Sequence, residues 1–375
     1  MRIGLIRMKY SPYGGAEIFL ERFINELKRR GHEIDVFSSD WPEAEGIRVH
    51  RIRTGGPRFL RPLIFAAGAA RAVEKAQCDC VISLERTYCQ DIYRAGDGCH
   101  REWLARKRAM ASAPKRALIS MNPLHAALLY LEARLFSSPR LKRVVANSRM
   151  VRDDIIRHYG LPKKRICVIY NGFDAPPPST DGAGTRAGIR SRLGISEETV
   201  LLLFVGSGFE RKGLIHAIRS LGLLRDKGDV RLLVIGKGAT SGYSAEAKRL
   251  GVGDRVIFMG PVNGVFEYYG AADVFVLPTL YEPFSNACLE AMAAGLPVIT
   301  SRANGVSEIL TGAGYRASID EAADTHGLAS AIETLLDKDA RAKASKAVRE
   351  IASGFTIGRN VTEFLKLIEE VSTDA

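Results

Sequence analysis

The sequence lacks the features that would mark an exported, membrane-spanning or zinc-binding protein. No sustained apolar run follows the first basic residues, so a secretory signal is not expected. The most apolar later window, 117–136, is interrupted by Pro123, Glu132 and Arg134, so it does not predict a membrane-spanning helix. The six cysteines form no CxxC pair, and the histidines do not cluster at metal-ligand spacing. The resulting interpretation is a cytosolic protein with reduced thiols.

The sequence also lacks the signatures of several common enzyme classes. Its glycine turns do not have the GxGxxG spacing of dinucleotide-binding proteins, and no lysine lies in the GxxxxGK[ST] element of an NTPase. No GxSxG element predicts a serine hydrolase. His100 and His125 are candidates for a general base, but an ordinary buried or capping histidine is the simpler interpretation of each.

Positive charge is abundant but unevenly distributed. The chain has 375 residues and a net charge of +12. Residues 1–176 contain 32 Lys and Arg against 18 Asp and Glu, whereas residues 177–375 contain 22 against 24. This asymmetry indicates an anionic partner of the first half, which can be a phosphate-rich substrate, an anionic lipid surface or a nucleic acid. No nucleic acid is predicted as a partner, because no known nucleic-acid-binding motif accompanies the charge.

Short apolar runs alternate with segments of helical periodicity along both halves. This alternation and the chain length predict an α/β protein with two Rossmann-like, doubly wound domains. The expected divisions are a first domain at 1–172, a linker at 173–184, a second domain at 185–355 and a closing helix at 356–375. The main predicted strands are 2–7, 33–38, 80–84, 143–147, 166–170, 200–206, 231–235, 255–259, 273–277 and 297–300.

In each half, one glycine-containing turn follows the first strand and opens a helix. In the first, Gly14 and Gly15 would let the backbone approach a ligand, and the helix N-terminus would attract an anion. A plain strand-to-helix turn is the alternative. In the second, Arg211 and Lys212 lie at the predicted start of a helix over 212–225, where two cations suit a diphosphate. A surface ion pair is the alternative there.

The most specific element runs from Glu282 to Glu290, directly after a predicted strand. Pro283 fits the first position of a helix predicted over 284–294, which would place Glu282 just before the helix and Glu290 about two turns inside it. The expected phosphate contacts are backbone amides, and the two carboxylates would accept hydrogen bonds from hydroxyls on either side. Two solvated glutamates are the alternative. The backbone amides expected to contact the phosphate are those of Phe284, Ser285 and Asn286.

The strings EPFSNACLE, GGAE and FERKG at these positions resemble the retaining glycosyltransferase family 4, which has the GT-B fold of two Rossmann-like domains facing a cleft. The resemblance covers nearly the whole chain. It implies that Glu282 contacts the transferred sugar and Glu290 the ribose of the donor. It also implies a diphosphate clamp at Arg211 and Lys212 and a phosphate loop at Gly14 and Gly15. Many members have Gly where this chain has Ser285, so the resemblance leaves sugar selectivity open.

Within that family, four strings are similar to the lipopolysaccharide core glucosyltransferases that act on inner-core heptose. They are KYSPYGG at 9–15, RRGHEIDVFSSDW at 29–41, AGDGC at 95–99 and VGSGFERKG at 205–213. The similarity implies transfer of glucose from UDP-glucose to a lipid-linked saccharide, with Asp97 near donor and acceptor. Asp97 would orient the acceptor or help with its proton, or it is purely structural.

No cofactor and no metal are predicted, because no DxD element follows a strand in the second half. Asp337 and Asp339 match those letters, but they lie in a helical region where a solvated helix end is expected. Arg211, Lys212 and helix amides would then balance the diphosphate charge. The alternatives are a family 4 transferase using GDP-mannose or UDP-N-acetylglucosamine, with an exopolysaccharide or glycolipid acceptor, a sugar-nucleotide epimerase of the same fold, and a non-catalytic scaffold.

Residues 101–136 form a basic insertion in which cations alternate with Trp103 and aliphatic residues. Such a segment is typical of a helix on an anionic bilayer surface, which predicts peripheral association with the cytoplasmic face of the inner membrane. A core helix with a solvated basic face is the alternative. The cations are Arg101, Arg106, Lys107, Arg108, Lys115 and Arg116.

Overall fold

The computed structural model describes residues 1–10, 15–176, 184–315 and 318–373, and it divides the chain into two compact units. Unit 1 combines Met1–Asn171 with Ile357–Ala375, and unit 2 is Gly172–Thr356. The predicted linker at 173–184 lies at this division, although 177–183 falls outside the described residues. No helix within the described ranges is long and apolar enough to cross a bilayer.

Unit 1 contains, within the described residues, a seven-stranded parallel sheet in the order β3-β2-β1-β4-β5-β6-β7. The central strand β1 pairs with β2 on one side and β4 on the other, and its residues from Ile3 to Ile6 are buried. Both faces of such a sheet are covered, which explains the apolar sequences of its central strands. The strands are β1 (Arg2–Ile6), β2 (Glu33–Ser38), β3 (Arg48–Arg51), β4 (Cys80–Ser83), β5 (Ile92–Ala95), β6 (Arg143–Ala146) and β7 (Ile166–Val168).

The helices of unit 1 connect these strands, except the last, which returns from the C-terminus. Three of them, α3 to α5, lie between β5 and β6 and make up the predicted insertion. The helices are α1 (Gly15–Arg29), α2 (Arg61–Ala76), α3 (His100–Ala109), α4 (Ala113–Met121), α5 (Pro123–Phe136), α6 (Arg149–Tyr159) and α15 (Ile357–Thr373).

The C-terminal helix α15 is part of the hydrophobic core of unit 1. Its apolar residues share one cluster with α1 and with the strands of the sheet. Phe364 contacts both Phe19 and Phe23 of α1, with ring centroids 5.9 and 5.3 Å apart. The Asn360 amide donates to the backbone carbonyl of Tyr170, which ties the helix to the chain leaving β7.

Unit 2 contains, within the described residues, a six-stranded parallel sheet in the order β10-β9-β8-β11-β12-β13. The strands are β8 (Val200–Val205), β9 (Val230–Ile235), β10 (Val256–Gly260), β11 (Val274–Leu277), β12 (Val298–Ser301) and β13 (Ser318–Ile319). The helices are α7 (Arg186–Arg192), α8 (Leu214–Leu223), α9 (Ser241–Arg249), α10 (Val265–Ala271), α11 (Asn286–Ala293), α12 (Val306–Gly312), α13 (Thr325–Thr334) and α14 (Lys338–Ser353). The strand order reverses between β8 and β11, and ligands of open α/β sheets bind at such a switch point.

Candidate active site

The turn after β8 carries the two predicted clamp cations. The prediction of a helix from residue 212 is wrong, because α8 begins at Leu214 after Gly213, which has a positive φ of 76°. Arg211 and Lys212 therefore lie in the turn itself. A Cβ atom on Gly213 would come within 1.8 Å of the Pro278 carbonyl oxygen, so only glycine permits this contact with the segment after β11.

Glu282 lies directly opposite this turn and receives both cations. Its Oε2 is 3.0 Å from Arg211 Nη1 and 3.0 Å from Lys212 Nζ. The Arg211 guanidinium also donates to the Tyr281 carbonyl at 2.9 Å. Backbone pairing holds the two segments together, since the Leu280 amide donates to the Arg211 carbonyl at 2.8 Å. The structure thus brings together three residues that the sequence analysis assigned to one donor site.

Charge keeps Glu282 ionised despite its burial. Burial alone would raise the pKa of this carboxyl, but the charges of Lys212 and Arg211 outweigh the burial and hold the pKa below its ordinary value. The cluster therefore presents a carboxylate that accepts hydrogen bonds beside two cations that attract an anion. A ligand with hydroxyl groups next to a phosphate matches this arrangement.

The segment from Pro283 to Ser285 corrects the predicted start of the next helix. Helix α11 begins at Asn286 and Ser285 is its N-cap, with its Oγ accepting from the Cys288 amide at 3.2 Å, so Pro283 is not at the first helical position. The Ser285 amide donates to Asn304 Oδ1 at 3.2 Å. In this structure it is therefore engaged within the protein and does not offer the predicted phosphate contact.

Asn304 is a positioning residue that the sequence analysis missed. Its Oδ1 accepts from the amides of Ser285 and Val306, and its Nδ2 donates to Thr300 Oγ1 at 2.9 Å. The Glu282 amide donates to the neighbouring Ala303 carbonyl at 2.9 Å. The 303–305 segment therefore fixes the backbone that carries Glu282. The Asn304-Gly305 pair, a turn signal directly after a strand, was the available clue.

Phe284, Asn286 and Glu290 occupy different environments around α11. Phe284 is buried, whereas Asn286 is half-buried at the start of the helix. Glu290 lies little more than one turn inside α11, and not the predicted two, because the helix starts later. Its Oε2 accepts from the Tyr269 hydroxyl at 2.8 Å. The pKa of Glu290 is raised above its ordinary value, because burial outweighs the opposing effects of the Tyr269 hydrogen bond and the Lys212 charge.

In unit 1, Asp97 lies in the turn that follows β5, at the carboxyl edge of the sheet. Its side chain is 67% exposed, and its Oδ2 is 4.0 Å from Arg86 Nη1. The turn is closed by a hydrogen bond from the Gly98 amide to the Ala95 carbonyl, with Gly98 at a φ of 69°. Asp97 is therefore available to a ligand, and the Arg86 guanidinium lies beside it.

Arg86 and Glu132 form a buried ion pair under the Asp97 turn. Arg86 Nε donates to Glu132 Oε1 at 3.1 Å, and Arg86 Nη2 donates to the Gly98 carbonyl at 2.9 Å. Glu132 also accepts from the backbone amides of His100 at 2.7 Å and Arg101 at 3.0 Å. Burial would raise the pKa of Glu132, but the Arg86 charge and these hydrogen bonds lower it below its ordinary value. Sequence reasoning had treated Glu132 only as a polar interruption.

The predicted phosphate loop of unit 1 can be placed only in part. Gly15 begins α1, whereas Gly14 lies outside the described residues. Nearby, Glu85 follows β4 and accepts from the Met8 amide at 3.1 Å and from Arg7 at 3.3 Å. Burial raises the pKa of this second carboxyl at the carboxyl edge of the sheet. His100 is buried, and burial lowers its pKa to about 4.

The basic insertion is a set of three helices whose cations are not equivalent. Arg106 pairs with Glu102 at 2.7 Å and Arg101 donates to the His158 carbonyl, so these two cations contact the protein itself. Trp103 is half-buried beneath Lys107. In α4 no residue is buried, and Leu118 and Met121 are 70% and 78% exposed. Lys115 and Arg116 are exposed on the same helix, so the basic apolar surface is concentrated in α4.

The residues considered for metal binding serve structural roles. Asp337 is the N-cap of α14 and accepts from the Ala340 amide at 2.8 Å, and Asp339 lies in the first turn, as expected for a helix end. Across the described part of the chain, no group of three or more His, Cys, Asp or Glu side chains is arranged to hold a metal ion.

Comparison with known families assigns the class of the protein. Residues 13–175 match Glycosyltransferase Family 4, and residues 185–352 match the Glycosyl transferases group 1. The two matches follow each other and together span most of both units. The chain therefore belongs to the GT-B glycosyltransferases, with a Family 4 domain followed by a group 1 domain. This confirms the predicted enzyme class and the fold class of two parallel-sheet α/β domains.

Individual relatives agree with this assignment. The chain is 29% identical over 331 residues to an uncharacterized glycosyltransferase of Methanocaldococcus jannaschii, covering 83% of each chain. It is 26% identical to the lipopolysaccharide glucosyltransferase WaaG of Escherichia coli, covering 84% of this chain and 83% of WaaG. The crystal structure of WaaG superimposes with a TM-score of 0.80 at 22% identity, over 98% of this chain and 99% of the other. Anabaena HepE in complex with UDP-glucose gives a TM-score of 0.75 at 19% identity, over 99% and 100%.

Proposed function

We propose that this glycosyltransferase is a retaining, metal-independent hexosyltransferase that uses UDP-glucose. The observation that carries the proposal is the convergence of Arg211 and Lys212 on Glu282, each at 3.0 Å. The two cations provide charge for a diphosphate, and the carboxylate provides an acceptor for the sugar hydroxyls. The choice of glucose and uridine is supported by the relatives, one named a glucosyltransferase and one solved with UDP-glucose.

The proposed reaction breaks the bond between the anomeric carbon and the diphosphate and forms a bond to an acceptor hydroxyl on the same face of the sugar. Arg211 and Lys212 stabilise the charge that develops on the leaving diphosphate, which is often the largest catalytic contribution. A phosphate oxygen of the leaving group accepts the proton of the acceptor hydroxyl. Glu282 orients the sugar and Glu290 binds the ribose. In this proposal no metal ion and no cofactor participates.

The proposed acceptor is a lipid-linked saccharide, such as inner-core heptose of lipopolysaccharide, bound by unit 1. Asp97 supports this assignment because it is exposed at the carboxyl edge of the unit 1 sheet, where ligands of α/β domains bind. The Arg86–Glu132 pair holds the turn that carries it. Asp97 orients the acceptor hydroxyl, and the name of WaaG supports the choice of acceptor.

The proposal includes peripheral binding to the cytoplasmic face of the inner membrane through the insertion. Its support is α4, where two cations, Lys115 and Arg116, accompany the exposed Leu118 and Met121. Each Lys or Arg near an anionic surface contributes about 1 kcal/mol, and the apolar side chains add to it. The buried Glu102 and Leu104 of α3 keep that helix attached to unit 1.

The test is a screen of nucleotide sugars against membrane extracts that contain lipid-linked acceptors. The expected result is selective transfer from UDP-glucose, with the anomeric configuration of the donor kept in the product, as measured by NMR. Inverted configuration would contradict retention. Transfer from GDP-mannose or UDP-N-acetylglucosamine alone would contradict the donor, and conversion of the donor to an epimer without transfer would contradict the reaction itself.

A further inference from the structure

A groove in unit 1 lies between helix α2 and the chain at the end of β3, away from Asp97. Its volume is about 530 Å³, within the range of sites for small molecules. Its floor is apolar and includes Ile52 and Ile64. Four cations surround the floor, and they are Arg51, Arg53, Arg71 and Lys75.

The four cations that line the groove come from two segments of the chain. Arg51 is the last residue of β3 and Arg53 follows two residues later, with the buried Ile52 between them. Arg71 and Lys75 are one helical turn apart on α2. All four side chains are exposed, and among the residues that the structure describes none of them forms an ion pair or hydrogen bond with a side chain. Glu74, three residues after Arg71 on α2, is not among the residues that line the groove.

A second groove, in unit 2, shows how this protein neutralises a similar surface. That groove has a volume of about 640 Å³ and is also lined by four cations. Glu246 pairs with two of them, Arg219 and Arg249, at 2.8 Å each, and Arg225 pairs with the lining residue Asp226 at 3.2 Å. Among the described residues, no carboxylate forms an ion pair with a cation of the unit 1 groove. Its positive charge is therefore left for a ligand.

The position of the groove relates it to the acceptor side of the protein. Arg51 ends β3 and Asp97 follows β5, and because the strands are parallel, both lie at the carboxyl edge of the same sheet. Four strand intervals separate β3 from β5 in the order of the sheet. At roughly 4.8 Å per interval, the ends of β3 and β5 are about 19 Å apart along this edge. A ligand that reaches both is an extended molecule of several sugar units.

We propose that this groove binds the anionic groups of the saccharide acceptor, at a distance from the hydroxyl that receives the hexose. Two pairs of cations match a saccharide that carries two phosphate groups, since arginine binds phosphate through two parallel hydrogen bonds. The apolar floor accommodates the C–H face of a sugar ring. This inference rests on the proposed function for the identity of the ligand as an acceptor.

The direct test uses glucose 1,6-bisphosphate as the probe in calorimetric titrations of the full chain, with saturating UDP present to occupy the donor site. The expected result is binding by the wild type and a loss of at least tenfold in affinity for Arg53→Glu/Arg71→Glu, because one lost charge-assisted contact already corresponds to about tenfold. Arg225→Glu/Lys248→Glu, in the unit 2 groove, is the matched control and should bind the probe like the wild type.

Two further measurements separate the possible outcomes. Transfer assays with the native acceptor should show KM for the acceptor raised at least tenfold in the unit 1 variant, with kcat and the KM for UDP-glucose unchanged. Equal probe affinity in the wild type and Arg53→Glu/Arg71→Glu overturns the inference. So does a variant that loses binding to phosphatidylglycerol vesicles but keeps probe affinity, because the groove is then part of a membrane surface. Absence of any transfer by the wild type would contradict the proposed function, whereas the probe titrations would still decide whether the groove binds phosphate.

Discussion

Replacing Glu132 should destabilise unit 1 and impair the Asp97 turn together. The carboxylate accepts from Arg86, from the His100 and Arg101 amides, and from the Tyr159 hydroxyl at 2.7 Å. Glu132→Ala leaves the Arg86 guanidinium buried without its partner, which costs about 3–5 kcal/mol of unfolding free energy. Glu132→Gln keeps the shape of the side chain but replaces one of the two acceptor oxygens by an NH₂ group, which faces other donors. We therefore expect a loss of about 1.5–3 kcal/mol of unfolding free energy.

Urea denaturation measures these losses, and Tyr159→Phe is the control. That variant removes a single hydroxyl donor and keeps the carboxylate, so its loss should be smaller, at about 1.5 kcal/mol. The pH dependence has a defined sign. Because the folded pKa of Glu132 lies below the ordinary value of 4.5, its contribution is present above about pH 4.5 and is lost as the pH falls through the folded pKa. Glu132→Gln should therefore show a weaker loss of stability over that acidic range than the wild type.

Kinetics distinguish a positioning role of Glu132 from a purely structural one. Arg86 connects Glu132 to Gly98 and Asp97, so Glu132→Gln should lower kcat at a temperature where the variant is fully folded. Nucleotide affinity should stay unchanged, because the proposed donor residues lie in unit 2. An Ala variant that loses less than about 1 kcal/mol would refute the description of a buried, satisfied pair. Full kcat in a folded Gln variant would refute the connection to the Asp97 turn.

Further predictions concern the proposed donor site and membrane surface. Arg211→Ala/Lys212→Ala should weaken UDP binding in calorimetry by several kcal/mol at most, since each charged hydrogen bond contributes about 1.5–3 kcal/mol. Glu282→Gln should mainly lower kcat. Glu290→Ala should mainly weaken UDP binding. EDTA should leave transfer intact, and loss restored by manganese would contradict metal independence. Lys115→Glu/Arg116→Glu should reduce binding to anionic vesicles, most clearly at low salt, while equal binding by wild type and variant would contradict a membrane role for α4.

The sequence was sufficient to predict the residues of the donor cluster but not their arrangement. Arg211, Lys212 and Glu282 were recognised because local motifs mark them, and the two motifs are 70 residues apart. Their contact depends on Gly213, which allows the turn to approach Pro278. The main local error is the helix start, since α8 and α11 begin later in the chain than the sequence predicts. The Ser285 side chain caps α11, and this competes with the helix-start role that Pro283 suggested.

Unit 1 was harder to predict because its signals are weak or distant in sequence. Strand β3, with the sequence RVHR, has no apolar run, because it lies at the edge of the sheet and its residues are exposed or half-buried. The role of Glu132 depends on Arg86, 46 residues earlier, and on backbone amides at the start of α3. Periodicity and propensity carry no information about such a contact. A polar residue inside an apolar window is the trace that such contacts leave in a sequence.

The return of α15 to unit 1 sets the order in which the protein can be completed during synthesis. Translation supplies all of unit 2 before α15, so unit 1 lacks part of its core until α15 leaves the ribosome. Phe19 and Phe23 of α1 can pack against Phe364 only after almost the whole chain has been synthesised. Nascent unit 1 therefore exposes an apolar stripe on α1 that α15 later covers. A nonsense mutation just before residue 357 would leave unit 2 complete. Unit 1, which is synthesised first, would lack part of its core.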